Sequence, residues 1–248
     1  MNKPEFPSEI IDLPSQGKLY SKESPLSSGT IELRYPTAKS EDILTNQSYI
    51  EKGVVIDKFL QSLIVDPNIN YNDILIGDKN AILVAARVLG YGSKYSFLFR
   101  GKTEEIDLSQ IKPKPLSDEI KNAVENKFSF ELPASKLTVT FKLLTHGDEQ
   151  KVEQELRGLK KLNKDSSAEL STRLKYIITS INGNEDFKEI RSFIDNMLLA
   201  RDARALRQYI TKIQPDLDMT FIPEDSDIPV TIPMTPQFLW PDLEVTGE

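Results

Sequence analysis

The feature that most constrains this chain is a spacing that occurs twice. Asp78, Ala81, Phe97, Ile106 and Leu108 are followed, at a constant offset of 124 residues, by Asp202, Ala205, Phe221, Val230 and Ile232. Further upstream Thr37 and Glu41 are answered by Thr145 and Glu149 at an offset of 108. The 16-residue difference falls within the longer helical stretch of the second copy. Recurrence at a long period is the sequence mark of a duplicated supersecondary unit. The expected fold is therefore α+β, with internally duplicated strand–helices–β-hairpin units packed around a mainly helical core.

Local patterns place the parts. The first 28 residues are rich in Pro, Ser and Gly, as in Leu13-Pro14-Ser15-Gln16-Gly17, and read as an extended arm with turns. The arm carries Leu13, Leu19, Tyr20 and Leu26, so it should pack on its own domain or on a neighbour. A first α+β repeat spans 29–112. In it, Thr30–Tyr35 alternates as a strand, and Thr37–Glu41 reads as a helix start. Ile56, Phe59, Leu60, Leu63 and Ile64 have helical spacing, predicting one helix over about 50–64. Asp78 reads as the N-cap of a central helix running to Leu89, with Gly90 after it. Tyr95–Phe99 and Glu105–Leu108 read as a hairpin turning at Arg100-Gly101-Lys102-Thr103.

A linker at 113–128 precedes the second repeat at 129–241, and 242–248 is an acidic tail. Phe130-Glu131-Leu132-Pro133 echoes Ile11-Asp12-Leu13-Pro14. A strand at Val139–Leu143 and a helix start at Thr145–Glu149 follow. One helix carries Val152, Leu156 and Leu159. Another carries Leu174, Ile177, Ile178 and Ile181, closed by Asn182-Gly183, and a third begins near Asp186. Asp202 reads as the cap of a last helix ending before Pro215, and Met219–Ile232 as a second hairpin.

The residue inventory narrows the chemistry. There is no cysteine, which excludes disulfides, thiolate metal sites and cysteine nucleophiles, and fits a reducing compartment. No apolar run approaches the ~18 residues of a membrane span. The opening residues have no signal-peptide core, so the expected location is the cytosol. With 31 basic and 38 acidic residues the net charge is −7, a poor starting point for gripping a phosphate backbone. Arg157, Lys160, Lys161 and Lys164 have Glu153 and Glu155 beside them and read as a solvated helix face.

The one histidine, His146, has no second histidine to complete a triad or metal set and reads as a polar residue at a helix start. Pro223-Glu224-Asp225-Ser226-Asp227 has acids but no glycine turn for calcium. Gly90-Tyr91-Gly92-Ser93-Lys94 lacks Walker spacing. The expectation is no catalytic residue, no cofactor, no metal, and no nucleic-acid or small-molecule partner.

Several longer runs are distinctive. They are Leu13-Pro14-Ser15-Gln16-Gly17-Lys18-Leu19-Tyr20, Thr37-Ala38-Lys39-Ser40-Glu41-Asp42-Ile43-Leu44-Thr45, Lys52–Lys58, Asp73–Ala81, Phe141–His146, Ala200–Leu206 and Phe238-Leu239-Trp240-Pro241. Over about residues 10–241 the chain resembles the baseplate hub subunit and hub assembly chaperone family of T-even-like contractile phages. That resemblance implies a structural adaptor binding other baseplate and tail hub proteins, in the host cytoplasm during assembly and then in the virion. It leaves open a transient chaperone absent from the finished particle. A third reading is a nucleic-acid-binding ribbon protein without its zinc. The family's hairpin tips resemble zinc-ribbon knuckles with Cys-x-x-Cys pairs. Here the tips are Arg100–Thr103 and Pro223–Asp227, so the knuckles are expected to be metal-free. The expected contacts with neighbours are Leu13, Leu19, Tyr20 and Leu26 in the arm, and Phe238, Leu239 and Trp240 near the end.

Overall fold

A computed structural model describes residues 7–162, 168–223, 228–234 and 238–239. The molecule is mixed α and β, with small antiparallel sheets laid against helices. The recurring Asp-Leu-Pro and Glu-Leu-Pro segments explain how each half begins, because a proline after a strand ends its ladder. Strand β1 (Ser8–Asp12) pairs antiparallel with β2 (Thr30–Arg34), placing Ile11 opposite Ile31. Between them the chain makes an excursion closed by the Leu13 N–H on the Gly29 carbonyl, 2.8 Å. Gln16 and Gly17 turn it with positive φ of 52° and 75°. Gly17 also lies against the Ser27 carbonyl, where no side chain would fit. Leu13 and Leu26 point inward with Ile31 and Leu33, the buried set of β2.

Helix α1 (Ala38–Leu44) follows the Thr37 start, with the Thr37 N–H donating to Ser40 Oγ. The single helix expected over 50–64 is two. Helix α2 (Gln47–Lys52) stops at Gly53, whose φ of 69° is left-handed, and α3 (Val55–Leu63) starts anew. Gly53 and Val54 return their N–H groups to Ile50 and Tyr49, a glycine C-cap that periodicity does not reveal. Phe59, Leu60 and Leu63 of α3 are buried, and Ile64 bridges back to Leu33 of β2. Helix α4 (Ile76–Tyr91) is the central one. It begins two residues before Asp78 and runs past Gly90, and Gly92 is the residue that ends it. The buried Arg87 ties that end down, donating to the carbonyls of Gly92 (2.7 Å) and Lys94 (2.8 Å). Hairpin β3 (Lys94–Phe99) and β4 (Lys102–Asp107) turns at Arg100-Gly101, both with positive φ, as a two-residue loop requires.

The stretch expected as a linker contributes core. It contains α5 (Asp118–Lys121), and its Leu116 and Ile120 are buried. Strands β5 (Phe128–Glu131) and β6 (Thr138–Phe141) then form the second ladder, followed by α6 (His146–Leu162) and α7 (Glu169–Ile177). The helix expected through Ile181 ends at Ile177. Ile178–Ile181 is strand β7, paired with β6. The run Ile177-Ile178-Thr179 is β-branched, and the open edge of β6 supplies the ladder, so pairing overrides the helical spacing. Helix α8 (Phe187–Asn196) starts at the Asp186 cap, which accepts from the N–H groups of Lys188 and Glu189. Helix α9 (Ala200–Ile213) and the short pair β8 (Thr220–Phe221) and β9 (Val230–Thr231) follow.

Two apolar cores result, and each half helps close the other. Leu217, Met219, Ile232, Phe238 and Leu239 lie in the first core, whereas Leu19 and Leu75 lie in the second. Phe221 packs edge-on against Phe97 (5.0 Å) and Phe99 (5.4 Å), so the two hairpins lean on one another. Residues 112–114 pair with 216–218, and Leu75 bridges Thr145. Burying Phe238 contributes on the order of 2 kcal/mol, so the crossing is energetically substantial.

Where α4 begins, Gly77 sits directly on the Pro215 carbonyl, and a methyl group would overlap that oxygen. Gly77→Ala is expected to cost about 3 kcal/mol by overpacking, read as a lower midpoint in urea. Gly158, inside α6, has open space around it. Gly158→Ala should instead stabilise by about 0.5–1 kcal/mol through helix propensity. Equal midpoints for the two variants would contradict the packing of α4 on Pro215.

Candidate functional site

Two buried carboxylates repeat the same contact in the two halves. Both were expected as helix caps. The structure places each three residues beyond the cap, which is Leu75 for α4 and Leu199 for α9. From the first turn each carboxylate reaches the turn after its own strand pair's leading strand. Asp78 Oδ1 accepts the Ser15 N–H (2.9 Å), and Oδ2 accepts the hydroxyls of Ser15 (2.6 Å) and Tyr20 (2.6 Å). The Tyr20 oxygen in turn accepts the Leu75 N–H at 2.9 Å. In the second half Asp202 accepts the N–H groups of Ala134 (2.7 Å) and Ser135 (3.0 Å). Both carboxylates are fully buried.

Their electrostatics differ because their partners differ. Burial pushes Asp78 up, against the donors on Ser15 and Tyr20, and burial beside Asp78 raises the Tyr20 hydroxyl too. Burial also acts against ionised Asp202, but hydrogen bonds from Ala134 and Ser135 outweigh it and hold that carboxyl below its ordinary range. Every oxygen is committed to an internal donor. These groups lock loops and are not free to act on a bound molecule.

A second polar cluster joins elements of both halves. Asp57 of α3 holds Lys79 of α4 at 2.6 Å. Tyr71 OH donates to Asp57 Oδ1 at 3.2 Å. His146, the first residue of α6, stands edge-on to Tyr71 with ring centroids 4.6 Å apart. It is 2% exposed. The polar helix-start residue expected from sequence is thus a core residue, pulled in because its N–H donates to the Ile74 carbonyl (2.8 Å) beside the Leu75–Thr145 bridge. No local signal marks it. Asp57, Tyr71 and Lys79 lie 67–89 residues upstream, brought to it only by the packing of the halves.

The expected contact residues are placed as follows. Leu13, Leu19, Leu26, Phe238 and Leu239 are all buried in the chain's own cores. Tyr20 is largely covered, with its hydroxyl held by Asp78 and Leu75. Trp240 and the tail at 242–248 lie outside the described residues. Leu13, Leu19 and Leu26 of the arm therefore follow the self-packing alternative and find cover within the fold, whereas Ile10 on β1 stays 71% exposed.

Other residues occupy the surface. A cleft of about 640 Å³ opens between β2, α1 and the end of α3. Arg34 and Lys39 line it over an apolar floor of Ile43 and Leu63, and among the described residues neither cation is seen in an ion pair. Glu32, on the same wall, is bonded by the Ser8 hydroxyl at 2.5 Å. On the far half an apolar groove of about 360 Å³ runs between Leu137, Ile181 and the α8 side chains Ile190 and Phe193, edged by Met197. Phe187, Met197 and Leu199 nearby are half or more exposed. Among the described residues no cluster of three or more His, Asp or Glu could hold a metal ion, and no helix is long and apolar enough to cross a membrane.

Comparison with protein-family models, with curated proteins and with solved structures yields no match.

Removing either buried acceptor is expected to be costly, because buried donors are left without partners. Asp78→Ala and Asp202→Ala should each lower the unfolding free energy by about 3 kcal/mol. Urea denaturation measures this. A loss under 1 kcal/mol would mean that the two turns are held by something else.

Proposed function

We propose that this chain is a structural adaptor of the hub region of a contractile phage tail baseplate, acting by protein–protein binding and not by catalysis. One observation carries the reading. Two of the runs on which the resemblance rests meet at a single contact: Leu13–Tyr20 supplies Ser15 and Tyr20, and Asp73–Ala81 supplies Asp78. The unusual wording of those runs thus has a physical reason, the satisfaction of a buried carboxylate. This supports reading the resemblance as common descent over chance likeness.

The recurrence of the contact at Asp202 supports a true duplication of the strand–helices–hairpin unit. In this reading the hairpins are metal-free knuckles. Tyr95 and Phe97 and their aromatic neighbours Phe221 and Phe238 do the work that zinc would do in a ribbon. The joints to neighbours are then the surfaces left open: the cationic cleft of Arg34 and Lys39 and the apolar groove edged by Met197. A cleft lined by two cations in a chain of net charge −7 suits an acidic segment of a neighbouring hub protein. The groove suits apolar side chains, which anchor interfaces when they are desolvated.

Mass spectrometry of purified particles should find the chain at fixed stoichiometry with baseplate proteins. The double variant Arg34→Glu/Lys39→Glu should fold with a wild-type urea midpoint yet enter particles at a tenth of the wild-type level or less. A chain required for hub assembly but absent from particles would replace the adaptor with the assembly chaperone. Salt-dependent binding of single-stranded DNA would favour the ribbon-type nucleic-acid reading.

A further inference from the structure

We infer that His146, set between Lys79 and Asp57, forms an acid-labile latch that holds the two halves of the molecule together. The geometry has three parts. Lys79 Nζ lies 3.1 Å from His146 Nδ1. An ammonium can only donate, so Nδ1 accepts and the neutral ring carries its proton on Nε2. Nε2 lies 3.6 Å from Asp57 Oδ2, beyond hydrogen-bond reach, and is buried with no hydrogen-bond partner among the described residues. The Asp57 carboxylate is instead drawn to Lys79 at 2.6 Å and to Tyr71 at 3.2 Å. In this state the ring bridges α4 to α6 through one accepted bond, with an unsatisfied donor facing a carboxylate.

A proton added at Nδ1 reverses that bond. The site that accepted from Lys79 becomes a donor, and two cations then face each other about 3 Å apart in a low-dielectric setting. The arrangement relaxes by moving Asp57 toward Nε2 and Lys79 away, which removes the side-chain link between α4 and the start of α6. The charged groups facing the ring are few. Asp57 comes from α3, Lys79 from α4, and the Tyr71 hydroxyl from the turn before α4. On α6 itself, Asp148 is turned to Lys142 and Thr145, and Glu149 is held by Arg173. Among the described residues, Asp57 is the group that favours the imidazolium. Burial, then Lys79, oppose it and hold the ring below its ordinary titration range.

The backbone beside the ring is where the halves join. The Ile76 N–H donates to the Leu144 carbonyl (3.2 Å) and the His146 N–H to the Ile74 carbonyl (2.8 Å). Loosening at the ring therefore reaches this junction first. The sign follows from linkage. The unfolded chain takes up the proton near pH 6.5 while the folded chain resists it, so stability is complete above about pH 6.5 and falls as pH drops toward the folded value. Within that window the unfolding constant rises by up to about tenfold per pH unit.

The chain has a single histidine, so its imidazole proton resonance reports this ring alone. In the wild-type protein that resonance should titrate below pH 6.5. Between pH 7.5 and 5.5, exchange at the Ile76 and His146 amides should accelerate relative to amides of β3, and the urea midpoint should fall. In His146→Asn, whose side-chain oxygen can still accept from Lys79 but cannot be protonated, both changes should be absent over the same range. A resonance titrating at or above 6.5 would overturn the latch, as would identical pH profiles for wild type and variant. Should the variant not fold, the wild-type resonance and the amide exchange ratio decide alone. None of these outcomes bears on particle composition, so the latch and the adaptor reading stand or fall separately.

Discussion

The burial of Asp78 organises the first half of this molecule. A carboxylate at zero exposure is tolerable only when donors surround it, and the donors come from a segment some sixty residues earlier, Ser15 and Tyr20. Satisfying the charge draws a Pro- and Gly-rich excursion onto the central helix. That placement puts Leu13 and Leu26 into one core and Leu19 into the other. Tyr20 extends the network by taking the Leu75 N–H, the first exposed donor of α4. The arm is thus structural because a polar contact holds it and an apolar contact rewards it.

Asp202 performs the same task with different donors. Two backbone N–H groups replace a hydroxyl pair and one amide. The consequence is electrostatic: one carboxyl is pushed up by its burial and the other is held down by its amides. The two aspartates therefore share geometry without sharing chemistry. The halves then depart further. The second inserts β7 as a third strand beside β6, whereas the first covers the same side of β2 with a single bridge at Ile64.

The two cores are not independent, and this affects where function can reside. Hairpin β8–β9 and Phe238 complete the first core, and Leu75 with Leu19 completes the second. Leu13, Leu19, Leu26, Phe238 and Leu239, which look like adhesive ends in the sequence, are consumed in this exchange. Open at the surface are the cationic cleft at β2 and α1, the groove at α8, and exposed apolar positions such as Leu98 on the hairpin. None of these stands out in sequence, because an exposed Leu and a buried one have the same local pattern.

By itself the sequence determined the elements whose signals are local. The Asp186 cap, the Arg100-Gly101 turn and the alternation of Ile31 and Leu33 are each legible because turn chemistry and periodicity act over a few residues. So is the paired spacing of Asp78 and Asp202, though not their role. Read locally, an aspartate before a helix is a cap; only the fold shows that it faces a proline turn from another part of the chain. Tertiary structure alone decided the break at Gly53, the conversion of Ile178–Ile181 to strand, and the burial of His146. The strand and the buried histidine depend on partners tens of residues away, whereas the break rests on a glycine C-cap that apolar periodicity does not reveal. Long-range burial and pairing outweigh local preferences of under 1 kcal/mol per residue, so they are settled only when the halves meet.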